Sequence, residues 1–374
     1  MARVMLVSME GQVGGAERSL LLLLRHLRDR HELSVACARV GPLVQRVRAM
    51  GILCHELPGR GGVAHRSVAG LLHLARVAAA LVGAAARWRP EVVHANNAQA
   101  ALACVMAGRC SGARVIWHAR DMTGSAALVR VLARGSDRII SVSQATRAHL
   151  LARGVDPAKV DVIHNGVAIE GQGCAGTRAG DMLPCRTFAS VGQFVPWKRQ
   201  HLFLLAAARV AGQVPDARFA VIGDDLFGRG GQYGRFLRQR ARGLGLEGRV
   251  VFPGWLNGMD RAWADIDCLV HAADHEPFGR VIIEAMHAGV PVIAVDGGGP
   301  GEIIQDGVTG LLVRAGDPEA LSGAMVRLAQ DAALAGALAR AARQRVLEQF
   351  TAERVAQRVD QVYRELLCGG RGRR

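Results

Sequence analysis

Short apolar runs alternate with longer amphipathic stretches along most of the chain, the pattern of buried strands and covering helices. In the first half the expected strands are Arg3 to Ser8, Leu33 to Ala38, Ile52 to Leu57, Val92 to Ala95, Arg114 to His118 and Asp137 to Ser143. Between them the periodicity predicts helices over Ala16 to Leu27, Pro42 to Met50, around Leu71 to Ala85, Gln99 to Ala107 and Gln144 to Ala152. A further strand, Val160 to Ile163, runs into an Asn165-Gly166 turn, and Glu170 to Pro184 then loses all periodicity and reads as a linker. Strands resume at Thr187 to Gly192, Ala217 to Gly223, Val250 to Pro253, Cys268 to His271 and Val292 to Val295. Val281, Ile282, Ala285 and Met286 give one helix a core face, and Gly289 with Pro291 ends it. A helix begins near Glu302, and others run from Asp317-Pro318-Glu319 to Phe350 and from Thr351 to Leu367.

This alternation predicts an α/β protein with parallel sheets. The expected organisation is a first domain over 1–168, a linker over 169–185, a second domain over 186–350, a C-terminal helix over 351–367 and a basic tail over 368–374.

Composition narrows the class. With 374 residues, half of them apolar and few aromatic, the chain has room for two aliphatic cores. The net charge of +15 favours anionic partners: nucleotides, phosphates or an anionic membrane surface. Only Lys159 and Lys198 are lysines, so nearly all of that charge is arginine, and the bias gives no argument for nucleic acid. Eight cysteines show neither a C-x-x-C pair nor zinc spacing, and an N-terminus that begins at once with a strand suggests reduced thiols in the cytoplasm. The apolar stretch from Val68 to Ala86 carries His73 and Arg76 and is followed by Arg87 and Arg89, so an amphipathic helix is expected there rather than a membrane span.

The candidate chemistry gathers at strand ends, where open parallel sheets bind ligands. Gly11, Gly14 and Gly15 follow the first strand and open a helix, whose free N–H groups suit phosphate or hydroxyl oxygens, although the spacing is neither a dinucleotide fingerprint nor a P-loop. His94 and His118 end two strands. Glu276 and Glu284 flank Pro277, Phe278 and Gly279, the first in a loop and the second on the following helix, with Gly297, Gly298 and Gly299 close behind. The adjacent Asp224 and Asp225 invite a metal, but no third ligand stands in register, and a loop is expected instead.

The run from His275 to Val313, HEPFGRVIIEAMHAGVPVIAVDGGGPGEIIQDGVTGLLV, resembles the donor-site signature of the retaining glycosyltransferases built from two Rossmann-like domains (GT-B), family 4-like. The resemblance implies parallel sheets facing across a cleft, with an acceptor side in the first domain, the donor site in the second and the last helix returning to the first. It places Glu276 by the donor sugar, Glu284 by the ribose, and Phe278 and Gly279 by sugar and phosphate. Gly14 and Gly15 are similar to the glycine loop that faces the diphosphate, and His118 to the histidine that faces the sugar, with the usual partner aspartate displaced to Asp121. Lys198 matches the family's phosphate-binding lysine, while Gln193 stands where an arginine is usual and should clamp phosphate less strongly.

The implied activity is retaining transfer of a hexose from a nucleotide diphosphate sugar to a saccharide or lipid-linked acceptor, in cell-envelope, exopolysaccharide or glycolipid synthesis. Glu276, Lys198 and His118 would be central, with no metal or other cofactor. The protein would be cytoplasmic, with peripheral attachment to the inner face of the membrane. A nucleotide-sugar epimerase or a phosphorylase on the same architecture, or a nucleotide-sugar-binding protein without turnover, would share the motif.

Overall fold

The computed structural model describes residues 1–59, 68–122, 124–169, 184–225, 231–256, 259 and 262–369. Residues 170–183 of the expected linker and 370–374 of the expected basic tail lie outside them. The chain divides into two compact units, one formed by 1–168 with 352–374 and the other by 169–351.

The first unit contains β1 (Arg3–Ser8), α1 (Gly15–Leu27), β2 (Glu32–Ala38), α2 (Pro42–Ala49), β3 (Leu53–Leu57), α3 (Val68–Trp88) and β4 (Val92–Ala95). It continues with α4 (Ala98–Ser111), β5 (Arg114–Ala119), α5 (Ala126–Gly135), β6 (Arg138–Ser141), α6 (Gln144–Leu151) and β7 (Val160–Val162). Its strands form a parallel sheet in the order β3-β2-β1-β4-β5-β6-β7. The order reverses between β1 and β4, which opens a crevice at their carboxyl ends where ligands bind in folds of this kind.

The second unit contains β8 (Thr187–Val191), α7 (Gln200–Gln213), β9 (Arg218–Ile222), α8 (Gln232–Gly243), β10 (Val250–Gly254) and β11 (Cys268–His271). It goes on with α9 (Arg280–His287), β12 (Val292–Val295), α10 (Pro300–Ile303), β13 (Leu311–Val313), α11 (Pro318–Gln330) and α12 (Ala332–Gln349). The parallel order β10-β9-β8-β11-β12-β13 reverses between β8 and β11. The last helix, α13 (Ala352–Cys368), belongs to the first unit, where Ala356, Val359, Val362 and Tyr363 pack with Leu20, Leu24 and Leu27 of α1. Fully burying an aliphatic or aromatic side chain stabilises by about 1.5–3 kcal/mol, so this contact is a substantial share of the first unit's stability.

Two expectations from the sequence need correction. Helices α5, α7 and α8 were not expected as elements, and the helix placed near Glu302 is a single short turn beginning at Pro300. The stretch from Gln193 to Arg199 is a loop that tightens into one 3-10 turn, Pro196–Lys198. Asp224 and Asp225 stand on the loop leaving β9, where Asp224 accepts from the Asp225 amide and Asp225 from the Gly231 amide. Among the described residues no helix is long and apolar enough to cross a membrane.

Candidate active site

In the second unit β11 delivers His271, and the loop beyond it carries Glu276 back toward the carboxyl end of the sheet. The Glu276 backbone is pinned on both sides: its amide donates to the Gly297 carbonyl (3.2 Å), and its carbonyl accepts from the Gly299 amide (2.8 Å). That approach requires glycine. A Cβ at Gly298 would come within 2.5 Å of the Glu276 oxygen, and one at Gly299 within 2.3 Å of the Phe278 Cα. Gly279 caps α9 in a left-handed conformation (φ 101°), and Phe278 is buried edge-on against Phe350.

The Glu276 carboxylate is itself buried and accepts two hydrogen bonds on Oε2, from Lys198 Nζ at 2.5 Å and from His271 Nε2 at 3.0 Å. Lys198 comes from the 3-10 turn after β8, with its ammonium 4.4 Å from the centre of the Trp197 ring. Burial pushes the Glu276 carboxyl up, but the Lys198 charge and the His271 hydrogen bond outweigh it and hold the group down at about 2. Burial lowers the His271 pKa in spite of the glutamate beside it. At neutral pH the cluster is therefore an ionised carboxylate, an ammonium and a neutral imidazole that donates from Nε2.

His271 was not singled out from the sequence, although its place at the end of a strand five residues before Glu276 was the signal. Glu284 lies on α9 and pairs with Arg280 one turn away (2.8 Å). Gln193 stands in the loop after β8, where its carbonyl accepts from the Gln200 side chain (2.9 Å). Arg199 adopts φ 55° and reaches Asp274 at 3.3 Å.

In the first unit Gly14 is the N-cap of α1 and Gly15 its first residue. Glu17 turns inward rather than outward, accepting from Ser8 Oγ (3.0 Å) and from the Gly14 amide (3.2 Å), so it braces the glycine loop from below. His118 near the end of β5 is 2% exposed and lies against His94 of β4, with Nδ1 3.1 Å from His94 Nε2. Arg120, two residues on, ties this corner together. It donates to His118 Nδ1 (3.3 Å), to the Asn96 carbonyl (3.1 Å) and to Asn165 Oδ1 (2.5 Å), which also accepts from Ser19 of α1 (3.1 Å). Burial and the Arg120 charge lower both histidines, His94 to about 3 and His118 well below its ordinary value.

Each unit thus holds, at the carboxyl edge near its own reversal of strand order, a glycine-braced loop and a buried histidine. The second unit adds an ion pair, a set that can grip phosphate oxygens through a cation and N–H groups and sugar hydroxyls through a carboxylate. The profile described as Glycosyltransferase Family 4 matches residues 13–170, and that described as Glycosyl transferases group 1 matches residues 185–345. The chain is 29% identical over 333 residues to a GDP-mannose-dependent alpha-mannosyltransferase of Mycobacterium tuberculosis, covering 82% of each protein. Its fold is similar to that of HepE from Anabaena, solved with UDP-glucose, at a TM-score of 0.84 and 24% identity over 98% of this chain and all of that one. It is likewise similar to a sucrose-phosphate synthase from Thermosynechococcus elongatus, at a TM-score of 0.83 and 21% identity over 99% of this chain and 100% of that one. With profiles matching both units and the two parallel-sheet domains described above, the chain belongs to the family 4-like glycosyltransferases of the GT-B fold.

Proposed function

We propose that this enzyme moves a hexose from a nucleotide diphosphate sugar to a hydroxyl of a saccharide or lipid-linked acceptor, with retention at the anomeric carbon. The observation that carries the reading is the buried cluster of Lys198, Glu276 and His271 on glycine-braced loops at the β8/β11 reversal. The mannosyltransferase relative and the UDP-glucose complex of the similar structure support a nucleotide-sugar donor.

In the reaction the bond from the anomeric carbon to the diphosphate breaks, its electron pair leaves with the nucleotide, and the acceptor oxygen bonds to that carbon. Negative charge grows on the leaving oxygen. Lys198, neutralised by Glu276 in the free protein, is placed to share its proton-bearing ammonium with that oxygen, and the Gly279 loop contributes a helix N-terminus. A carboxylate already bearing two hydrogen bonds on one oxygen is a weak nucleophile. Glu276 is therefore assigned to the sugar hydroxyls as an acceptor, and Glu284 to the ribose. The acceptor proton passes to the departing phosphate on the same face of the sugar, which accounts for retention. Gly14 and Gly15 are assigned to the donor diphosphate and His118 to the donor sugar, with the acceptor side in the first unit, and no divalent ion is needed.

Helix α5 exposes Leu128 and Val131 as well as Arg130 and Arg134. Exposed apolar side chains on a helix that also exposes arginines, in a chain of net charge +15, suit an anionic membrane surface, which favours a peripheral enzyme acting on lipid-linked acceptors in the cytoplasm. Co-sedimentation with vesicles containing phosphatidylglycerol at low salt tests this, and equal recovery with neutral vesicles rejects it.

The central experiment screens the purified protein against a panel of nucleotide sugars by thermal shift, then follows turnover with acceptors by proton NMR of the anomeric signal. A product with the donor's anomeric configuration is expected. An inverted product overturns retention, and conversion of donor without any acceptor points to an epimerase.

A further inference from the structure

The buried chain of polar groups in the first unit has a direction that can be read from its members. Arg120 has only donors to offer, so the His118 nitrogen it faces, Nδ1, must carry the lone pair. A neutral imidazole holds one proton, which then sits on Nε2. His94 Nε2, 3.1 Å from the same lone pair, must in turn be the donor of its contact, so His94 Nδ1 is bare. The group facing His94 Nδ1 at 2.5 Å is the hydroxyl of Tyr363, on α13, which therefore donates. Burial pushes the Tyr363 phenol above its ordinary pKa, so it keeps the proton to give. The far end of the chain is different: His118 Nε2 is buried and, among the described residues, has no hydrogen-bond partner.

We infer that Tyr363 is a positioning residue that acts through His94 and, together with Arg120, fixes His118 as the Nε2–H tautomer, so that the imidazole meets a bound sugar only as a hydrogen-bond donor. The inference rests on the assignment of His118 to the substrate made above for the functional consequence, and on the contacts alone for the tautomer. It makes His118 unable to act as a base, since its only unpartnered nitrogen already carries a proton. It also gives α13 a part in the chemistry beyond packing: the hydroxyl of a residue near the chain's end sets the proton position of an imidazole near the substrate.

The test is long-range proton–nitrogen correlation NMR on the full chain labelled with 15N-histidine, with His94 and His118 assigned from the His94→Gln and His118→Gln proteins. Both rings are expected as Nε2–H at pH 7, and a His118 proton on Nδ1 in the wild type overturns the inference. Tyr363→Phe keeps the ring and removes the donor. It is expected to convert His94 to a mixture of tautomers, to give His118 a detectable Nδ1–H fraction and to raise KM for the nucleotide sugar about threefold to tenfold, with the His271 signal unmoved. Unchanged tautomers in Tyr363→Phe reject the role of the hydroxyl. His94→Gln, whose amide can accept from Tyr363 and donate to His118, is the conservative rescue and should keep the wild-type His118 tautomer. Loss of that tautomer in the rescue also counts against the chain. If His118→Gln alters neither kcat nor KM, the substrate assignment of His118 falls while the tautomer measurement stands.

Discussion

The two units bury a histidine in the same place, at or near the end of a parallel strand beside the reversal of strand order, and use it in opposite company. His271 faces a carboxylate and His118 a guanidinium. In the second unit the imidazole is one of two donors to Glu276, and the cluster retains full charge. In the first unit burial, helped by the Arg120 charge, keeps the two imidazoles neutral, and Arg120 orients them. The lesson is that a strand-end histidine has no role of its own in this fold; the first charged neighbour decides whether it supports an anion or is itself held in place.

The sharpest way to break the comparison is at Glu276. Glu276→Ala leaves Lys198 and His271 without their acceptor, and kcat/KM with the preferred donor is expected to fall on the order of 10³-fold, read by product formation. Breaking a buried ion pair costs about 3–5 kcal/mol, so the melting temperature should drop as well, and the Lys198→Met/Glu276→Ala double variant should recover part of it. Full activity with unchanged donor affinity would remove Glu276 from the site. Lys198→Met alone should lower kcat on the order of 10²-fold, since it withdraws the cation assigned to the leaving group. Lys198→Arg should restore some of that loss in a steady-state assay.

Acid separates the units next. His94 has a folded pKa of about 3, below its unfolded value near 6.5, so the native state refuses a proton that the unfolded chain accepts. Its share of stability is complete above pH 6.5 and is lost as pH falls toward 3; His118 and His271, both lowered, follow the same sign. Glu276, held at about 2 against 4.5 unfolded, contributes stability that is present above pH 4.5 and lost as pH falls toward 2. Calorimetry should show the melting temperature level above pH 7, declining from 6.5, and steeper below 4.5. A Glu276→Ala protein should lose only the second decline. The smallest expected effect is a gain: Gln193→Arg adds a charge-assisted donor near the proposed diphosphate, and KM for the donor should fall about twofold to fivefold.

Much of this arrangement was legible in the residues. Apolar strands followed by glycines located both sheets, and the Glu276 to Gly299 stretch read as two glycine-bearing loops, each leading into a helix. What escaped was direction. Glu17 carries a charge in a surface-like position, and only the fold shows that Ser8 and the Gly14 amide draw it under the loop. Arg120 and Asn165 meet across 45 residues, a pairing that no local pattern encodes. The missed helices have physical reasons too. α7 is apolar over most of its circumference and shows little periodicity, whereas α8 carries four arginines and two glycines around only two buried side chains, Leu237 and Ala241.

The return of α13 to the first unit also orders events in time. The contiguous second unit is complete when residue 351 has been made, but the first unit lacks Tyr363 and the wall formed by Ala356, Val359 and Val362 until α13 has been made. At about 5–20 residues per second, synthesis of the intervening segment leaves the first unit open for roughly 10–40 s. During that interval α1 has no partner for its outer leucines, and His94 has no phenol to orient it. A chain that stopped between residue 351 and Tyr363 would hold the Lys198, Glu276 and His271 cluster with His94 and His118 still unset.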